Sequence, residues 1–377
     1  MMNKKEFLHL KSGTDVRGTA VETAEHGVQL TDETVQKICV GFYKWYCRKE
    51  QVDTFGIAVG QDCRISSPRI AAAAMTAFCA CGCRVTSGGG LEGEDVSAIL
   101  ELAYDAEVPA GTDNAPVTLP FMNDYAALLR RQIVDGVQNG DRPLEGLHIV
   151  VDAGNGVGGF YADQVLAPLG ADVSGSQFLE PDGMFPNHIP NPENKGAIDA
   201  ASKMVLDSSA DLGLIFDTDV DRMGCIGATG QEINRNTLVA LAAAIVLEDH
   251  PGTTVVTDSL TSDGLRTFIE QDLGGKQLRY HRGYKNVIDK SIELNKSGVD
   301  SALAIETSGH AALKDNYFLD DGAYLATKIV IKAAKLRREG KTIEDLTADL
   351  HRPAESVEIR VPILLEDFHD YGEDVMA

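Results

Sequence analysis

Apolar runs of strand length alternate along this chain with longer stretches whose apolar positions recur at helical spacing, the pattern of successive α/β units with parallel sheets. "TFGIAVGQD" (54–62) predicts a strand, and "SPRIAAAAMTAFCACG" (67–82) predicts the helix after it, with Pro68 in its first turn. The same form returns in "LHIVVDAGNG" (147–156), "LGLIFDTD" (212–219), "TTVVTDSLTSDG" (253–264) and "SALAIETSG" (301–309). In each, polar residues follow the carboxyl end of an apolar strand, where open α/β sheets bind ligands.

Turn-rich stretches at 136–146 and 247–253 divide the chain into units of roughly 100 to 140 residues, an ordinary domain size. The expected boundaries are 1–142, 143–250 and 251–352. Residues 353–377 offer one or two strands and the start of a helix, too little to close a core, and read as the beginning of a fourth unit. Composition (44% hydrophobic, 24% charged) is that of a globular protein. A net charge of −23 disfavours nucleic acid or an anionic membrane as a broad partner, so a small anion would need a local basic pocket. No apolar run is long enough to cross a bilayer, and the amino terminus carries no signal-type core, which together predict a cytoplasmic protein. Seven cysteines, an odd set in largely apolar context, agree with that expectation. Cys79, Cys81 and Cys83 are spaced too tightly for a structural zinc pair and are expected to pack inside a helix bundle.

Two motifs invite misreading. Gly154, Gly156 and Gly159 match G-x-G-x-x-G, but the acid that should close a dinucleotide site, Asp172, lies near the start of its strand rather than the end. A turn that lets a helix pack close to a sheet is the simpler account. "DTDVD" opens like a calcium loop, yet Arg222 and Ala228 occupy the positions that need Gly and Glu, and a strand precedes it. Three carboxylates, Asp217, Asp219 and Asp221, within five residues would repel one another unless a cation sat among them. Mg²⁺ suits such oxygen ligands and completes its shell with water or phosphate. The alternative is a solvated acidic loop in which Asp221 pairs with Arg222 or another base. Arg17, Arg64, Arg282 and Lys285 lie in polar loops that suit phosphate, although each alone is more often a surface charge. Glu306, Ser308 and His310 follow an apolar strand as donors and acceptors suited to sugar hydroxyls, or Glu306 serves only to cap a turn.

Taken in order, "GTDVRG", "GQDCRISSP", "DAGNG", "FLEPDGMFPNHIPNPENK", "DTDVDR", "RGYK" and "ETSGH" resemble the α-D-phosphohexomutases, the phosphoglucomutase and phosphomannomutase family. The resemblance runs from about residue 10 to the end. It implies three successive α/β domains with mixed sheets around a central cleft, plus a small α+β fourth domain. It further implies that Asp217, Asp219 and Asp221 hold Mg²⁺, with Arg222 near phosphate or substrate. Gly283, Tyr284 and Lys285 would form the third-domain loop, in which Lys285 transfers protons. Glu306 and Ser308 would bind the 3- and 4-hydroxyls, with His310 in the same loop, and Arg17 and Lys285 would flank the catalytic phosphate. The implied reaction moves phosphate between C1 and C6 of glucose or mannose through a phosphoserine and a hexose 1,6-bisphosphate.

The sequence departs from that pattern twice. No T-A-S-H-[NL]-P string carrying the phosphoserine occurs, and it is expected to be missing near 88–90; Ser87 lacks the following His and Pro. The R-x-S-G-T loop of a final domain does not occur either. Both are expected in a longer parent protein; a non-catalytic sugar-phosphate or metal binder, and a dinucleotide oxidoreductase, are the rival readings.

Overall fold

The computed structural model describes residues 2–353 apart from 13, 25, 84–92, 111–114 and 119–120. Ser87, the segment at 88–90 and nearly all of the expected fourth unit therefore lie outside the described residues.

The amino-terminal part is mostly helical. Helix α1 (Lys4–Leu8) leads into a two-residue ladder of β1 (Lys11–Ser12) and β2 (Asp15–Val16), followed by α2 (Asp32–Glu50), α3 (Ser67–Ala80) and α4 (Gly93–Tyr104). Thr31 caps α2 through its side chain, and Pro68 sits in the first turn of α3. The strand expected over 54–62 does not form; one bridge at Gly56 is all that appears there. An isolated extended segment gains no ladder hydrogen bonds, and no described neighbour supplies a longer ladder. The cysteines behave as small apolar groups: Cys39, Cys79 and Cys83 are buried and Cys81 half-buried between α2 and α3.

The remainder is built on two four-stranded sheets. After α5 (Phe121–Val137) come β3 (Ile149–Asp152), α6 (Lys195–Ser208), β4 (Leu212–Phe216), β5 (Met223–Gly227) and β6 (Glu232–Ile233). The first sheet runs β3-β4-β5-β6, parallel between β3 and β4 and antiparallel beyond. Then follow α7 (Asn236–Asp249), β7 (Thr254–Asp258), α8 (Asp263–Thr267), β8 (Lys276–Tyr280), α9 (Tyr284–Lys296), β9 (Leu303–Ile305), β10 (Ala311–Leu313) and α10 (Gly322–Arg338). Their sheet runs β10-β9-β7-β8, with β9 and β10 antiparallel and the rest parallel. Four of the apolar runs thus become β3, β4, β7 and β9, and the sheets are mixed rather than wholly parallel.

All of β3, β4, β5, β7 and β9 is buried, as their uninterrupted apolar character requires of strands covered on both faces. One core joins the two sheets: Val151, Leu214 and Phe216 from the first and Val255, Leu303 and Ile305 from the second belong to a single cluster with residues of α5, α7 and α10. Helix α7 has buried residues from Leu238 to Leu247 all round, so it is an internal helix, packed against α10 and β9. This shared core fixes the strand ends of one sheet relative to those of the other. No helix among the described residues is long and apolar enough to cross a membrane.

Candidate active site

Residues 217–222 connect β4 to β5, and their geometry follows from the ends of those strands. Strand pairing between Phe216 and Met223 closes the base of the hairpin. Val220 is forced to φ +69°, an uncommon conformation for a β-branched residue, and is held there by Gly322 N–H donating to its carbonyl at 2.9 Å. Within the loop, one oxygen from each of Asp217, Asp219 and Asp221 lies within 4.8 Å of the others. Arg222 holds Asp217 through its backbone N–H (3.2 Å) and side-chain Nε (3.1 Å), whereas its nearest approach to Asp221 is 3.6 Å. The simple Asp221–Arg222 pairing is therefore secondary. Burial, and then the charge of Asp221, raise Asp217 to about 6; burial also raises Asp219 and Asp221. Asp221 Oδ1 is buried without a hydrogen-bond partner. Three hard oxygen donors, crowded, partly desolvated and with one orphaned atom, fit a divalent cation of the Mg²⁺ class.

Across the cleft, the loop after β9 carries Glu306, Ser308 and His310. It is stitched to the acidic loop: Arg222 and His310 form a backbone bridge, and Met223 N–H reaches Gly309 O at 3.4 Å. Glu306, 3% exposed, accepts Gly283 N–H at 2.6 Å and Ser308 Oγ–H at 3.3 Å, and burial raises its pKa. It does more than cap its own turn, since the first of these bonds ties it to the start of α9. Gly283 has φ +120°, open to glycine alone among common residues. Tyr284 stacks on His310 with ring centroids 5.0 Å apart and donates to Asp15 at 3.4 Å, which brings the 14–17 loop into the same cleft. Lys285 points into largely buried surroundings and pairs with Asp289 one turn along α9. Arg17 faces solvent: its side chain, 70% exposed, pairs with Asp15 at 2.8 Å. Arg282, the neighbour of Gly283, is exposed, and its carbonyl accepts Asn286 Nδ2–H at 2.8 Å.

The glycine turn after β3 is the floor of the acidic loop. A side chain at Gly156 would press on the carbonyls of Asp217 and Thr218 at 2.9 Å, and one at Gly159 would strike Leu179 O at 2.1 Å. Close backbone packing explains these glycines without a dinucleotide. Cys63 Sγ–H donates to Asn155 O in the same turn, and Arg64 beside it pairs with Asp62. The charges of Arg64 and Asp62 both act on Asp219, so this loop borders the acidic site.

Sequence reasoning missed several supports. Asp320 Oδ2 receives His310 Nδ1 at 2.7 Å; although burial opposes it, this contact holds the histidine pKa above its ordinary value. Asp258, fully buried at the end of β7, accepts both Thr307 N–H and Thr307 Oγ–H and shapes the 306–310 loop. Asp152, at the end of β3, does the same for the loop carrying His188. Asp152 and Asp258 end a strand, the position that had already singled out Asp217 and Glu306, whereas Asp320 lies just ahead of α10.

Two mixed α/β sheets over a shared core thus bring hydroxyl-, carboxylate- and guanidinium-bearing loops together at their strand ends. Comparison with known proteins is specific. Three phosphoglucomutase/phosphomannomutase alpha/beta/alpha families match in succession: domain I over residues 10–106, domain II over 124–230 and domain III over 234–353. The chain belongs to the phosphoglucomutase/phosphomannomutase family, the α-D-phosphohexomutases. A phosphomannomutase/phosphoglucomutase of Pseudomonas syringae pv. tomato is 35% identical over 218 residues, covering 58% of this chain and 45% of that protein. Its Pseudomonas aeruginosa namesake is 28% identical over 324 residues, covering 76% and 68%. Among solved structures, a phosphoglucomutase/phosphomannomutase family protein from Burkholderia thailandensis superposes with a TM-score of 0.74 at 24% identity, covering 93% of this chain and 81% of that one. The match to the first of these relatives thus spans less than half of its length.

Proposed function

We infer that the parent protein is a cytoplasmic phosphohexomutase that interconverts the 1- and 6-phosphates of glucose and/or mannose through a phosphoserine and a hexose 1,6-bisphosphate. The observation that carries this reading is the acidic loop itself: three carboxylates and an orphaned Asp221 Oδ1, stitched by backbone to the Glu306–His310 loop. Family membership and the small, polar, loop-lined cleft favour a sugar phosphate over a polymer or a membrane. Domain limits near 142, 250 and 352 belong to this reading, although α5 (Phe121–Val137), ahead of the first limit, packs into the core of the two sheets.

On this reading Asp217, Asp219 and Asp221 hold Mg²⁺, which supplies charge neutralisation for a loose, anionic phosphoryl-transfer transition state. Arg222 approaches the phosphate from the same loop. Glu306 and Ser308 accept and donate to the 3- and 4-hydroxyls, which glucose and mannose share, so one loop serves both sugars. His310 and Tyr284 bound the sugar from the side, and Gly283 leaves room for it at the start of α9. Lys285, in largely buried surroundings, moves the proton of the attacking hydroxyl, and Arg17 faces the transferred phosphate across from it.

The absent T-A-S-H-[NL]-P string favours a second reading for the 377-residue chain itself, a sugar-phosphate and metal binder without turnover. Calorimetry with glucose 1,6-bisphosphate and Mg²⁺, beside a coupled assay on glucose and mannose 1-phosphates, separates the outcomes. Binding with turnover supports the mutase, binding alone the second reading. Absence of both removes the sugar-phosphate assignment. Turnover by a longer natural form, shown by an intact mass above that of 377 residues, would place the serine in the parent protein.

A further inference from the structure

His188 lies outside the cleft residues, yet its surroundings are unusually constrained. Its side chain is 6% exposed. Nδ1 faces the carbonyl oxygen of Ile189 at 3.1 Å, and Nε2 faces both oxygens of Asp152 at 3.0 and 3.1 Å. A carbonyl can only accept, so Nδ1 must carry a proton. Asp152 receives Gly154 N–H on Oδ1 and Gln177 Nε2–H on Oδ2, and both of its oxygens face Nε2, which donates to them as well. Both ring nitrogens protonated means an imidazolium paired with a carboxylate that is fully buried. Asp152 is the ionisable group acting on it among the described residues, and Phe178 packs edge-on against the ring.

The loop carrying this pair spans two units. Asn187 Nδ2 donates to Asn155 Oδ1, and Asn155 Nδ2 to Glu180 O. Asn155 O in turn accepts Cys63 Sγ–H. Gly183, in the same loop, lies so close to the Cys63–Ile65 backbone that a side chain there would meet Cys63 O at 2.4 Å and Ile65 N at 2.6 Å. Arg64 stands between those contacts, next to Asp219.

We propose that His188 and Asp152 are positioning residues, a charged pin that fixes the 178–190 loop and, through Asn187, Asn155 and Cys63, seats the Arg64 loop beside the metal-binding aspartates. The proposal rests on the assignment of the acidic loop only for its consequence in the cleft; the pin and the seam are measurable without substrate. Asp152→Asn keeps the shape and removes the charge that the imidazolium faces.

Two measurements on the full chain test it. A pH titration followed by side-chain ¹⁵N NMR should find His188 losing its second proton at higher pH than an ordinary histidine, because its contact with Asp152 outweighs burial; a His188 that titrates at or below the ordinary histidine range overturns the proposal. Thiol labelling read peptide by peptide should show Cys63 modified faster by about fivefold or more in Asp152→Asn and His188→Gln, with buried Cys225 unchanged as the control for unfolding. Unchanged Cys63 labelling, or equal acceleration at Cys225, overturns it. Loss of bisphosphate binding with both results intact would count against the mutase reading and leave the pin standing.

Discussion

The amino-terminal 110 residues and the stretch from 121 to 353 begin from the same kind of sequence and end in different architectures. In the second region one large core runs from α5 to the 343–350 turn and takes in strands of both sheets, with two smaller clusters beside it under α6 and α9. In the first, the apolar residues gather in two separate clusters, one between α2 and α3 and one around α1 and α4. The contrast shows where the cleft gets its precision. Asp217, Glu306 and His310 sit on the two-sheet side, while Arg17 and Arg64 come from the other, whose loops meet it at Asp15–Tyr284, at Cys63–Asn155 and where Gly183 packs on the backbone of Cys63 and Ile65.

The strongest way to break that comparison is to cut each core once. Phe216 is fully buried and packs edge-on against Tyr161, so Phe216→Ala should cost roughly 3–5 kcal/mol. Leu100, equally buried in α4, should cost roughly 2–5 kcal/mol as Leu100→Ala. Calorimetric unfolding should resolve two transitions, with Phe216→Ala lowering the one for the two-sheet region and Leu100→Ala the other. A single transition shifted by both variants would make the two regions one cooperative unit.

A smaller effect should appear at the acidic loop. Asp217 is held at about 6, above an ordinary carboxyl, so its ionised form is destabilised in the folded state. The sign follows: no cost below about pH 4, a cost that grows as pH rises through 4 to 6, and a plateau above that, at most on the order of 3 kcal/mol. A bound divalent ion would remove it. Added Mg²⁺ should therefore raise the melting temperature of the two-sheet transition more at pH 7.5 than at pH 5, and should not do so in Asp217→Asn. Equal protection at both pH values would separate any Mg²⁺ effect from this loop.

Strand-end logic made much of this legible in advance. The runs ending at Asp152, Phe216, Asp258 and Ile305 are strands because each is apolar enough to be covered on both faces, and the carboxylates just beyond them are where the chain turns into the cleft. "TFGIAVGQD" carries the same local signal and fails, since a strand is a pairing and its sequence does not contain its partner. The supports were illegible for a related reason. Asp152 and His188 lie 36 residues apart, and His310 meets Asp320 only once β9 and β10 have paired. A buried carboxylate's partner is decided by tertiary packing, whereas crowding in Asp217, Asp219 and Asp221 is visible within five letters.

The smallest effect gives the cleanest comparison, because it makes one chemical edit in each region. Thr31 accepts Thr34 N–H at the start of α2, and Asn194 accepts Gly196 N–H and Ala197 N–H at the start of α6. Neither helix loses core contacts when its cap is truncated, so Thr31→Ala and Asn194→Ala should each cost about 1 kcal/mol. If the regions unfold separately, each variant should move its own transition and leave the other within about 0.5 kcal/mol, as for distant independent sites. If Thr31→Ala also lowers the two-sheet transition, then the Cys63–Asn155 and Asp15–Tyr284 contacts couple the regions, and the loops bearing Arg17 and Arg64 are held as firmly as those they face.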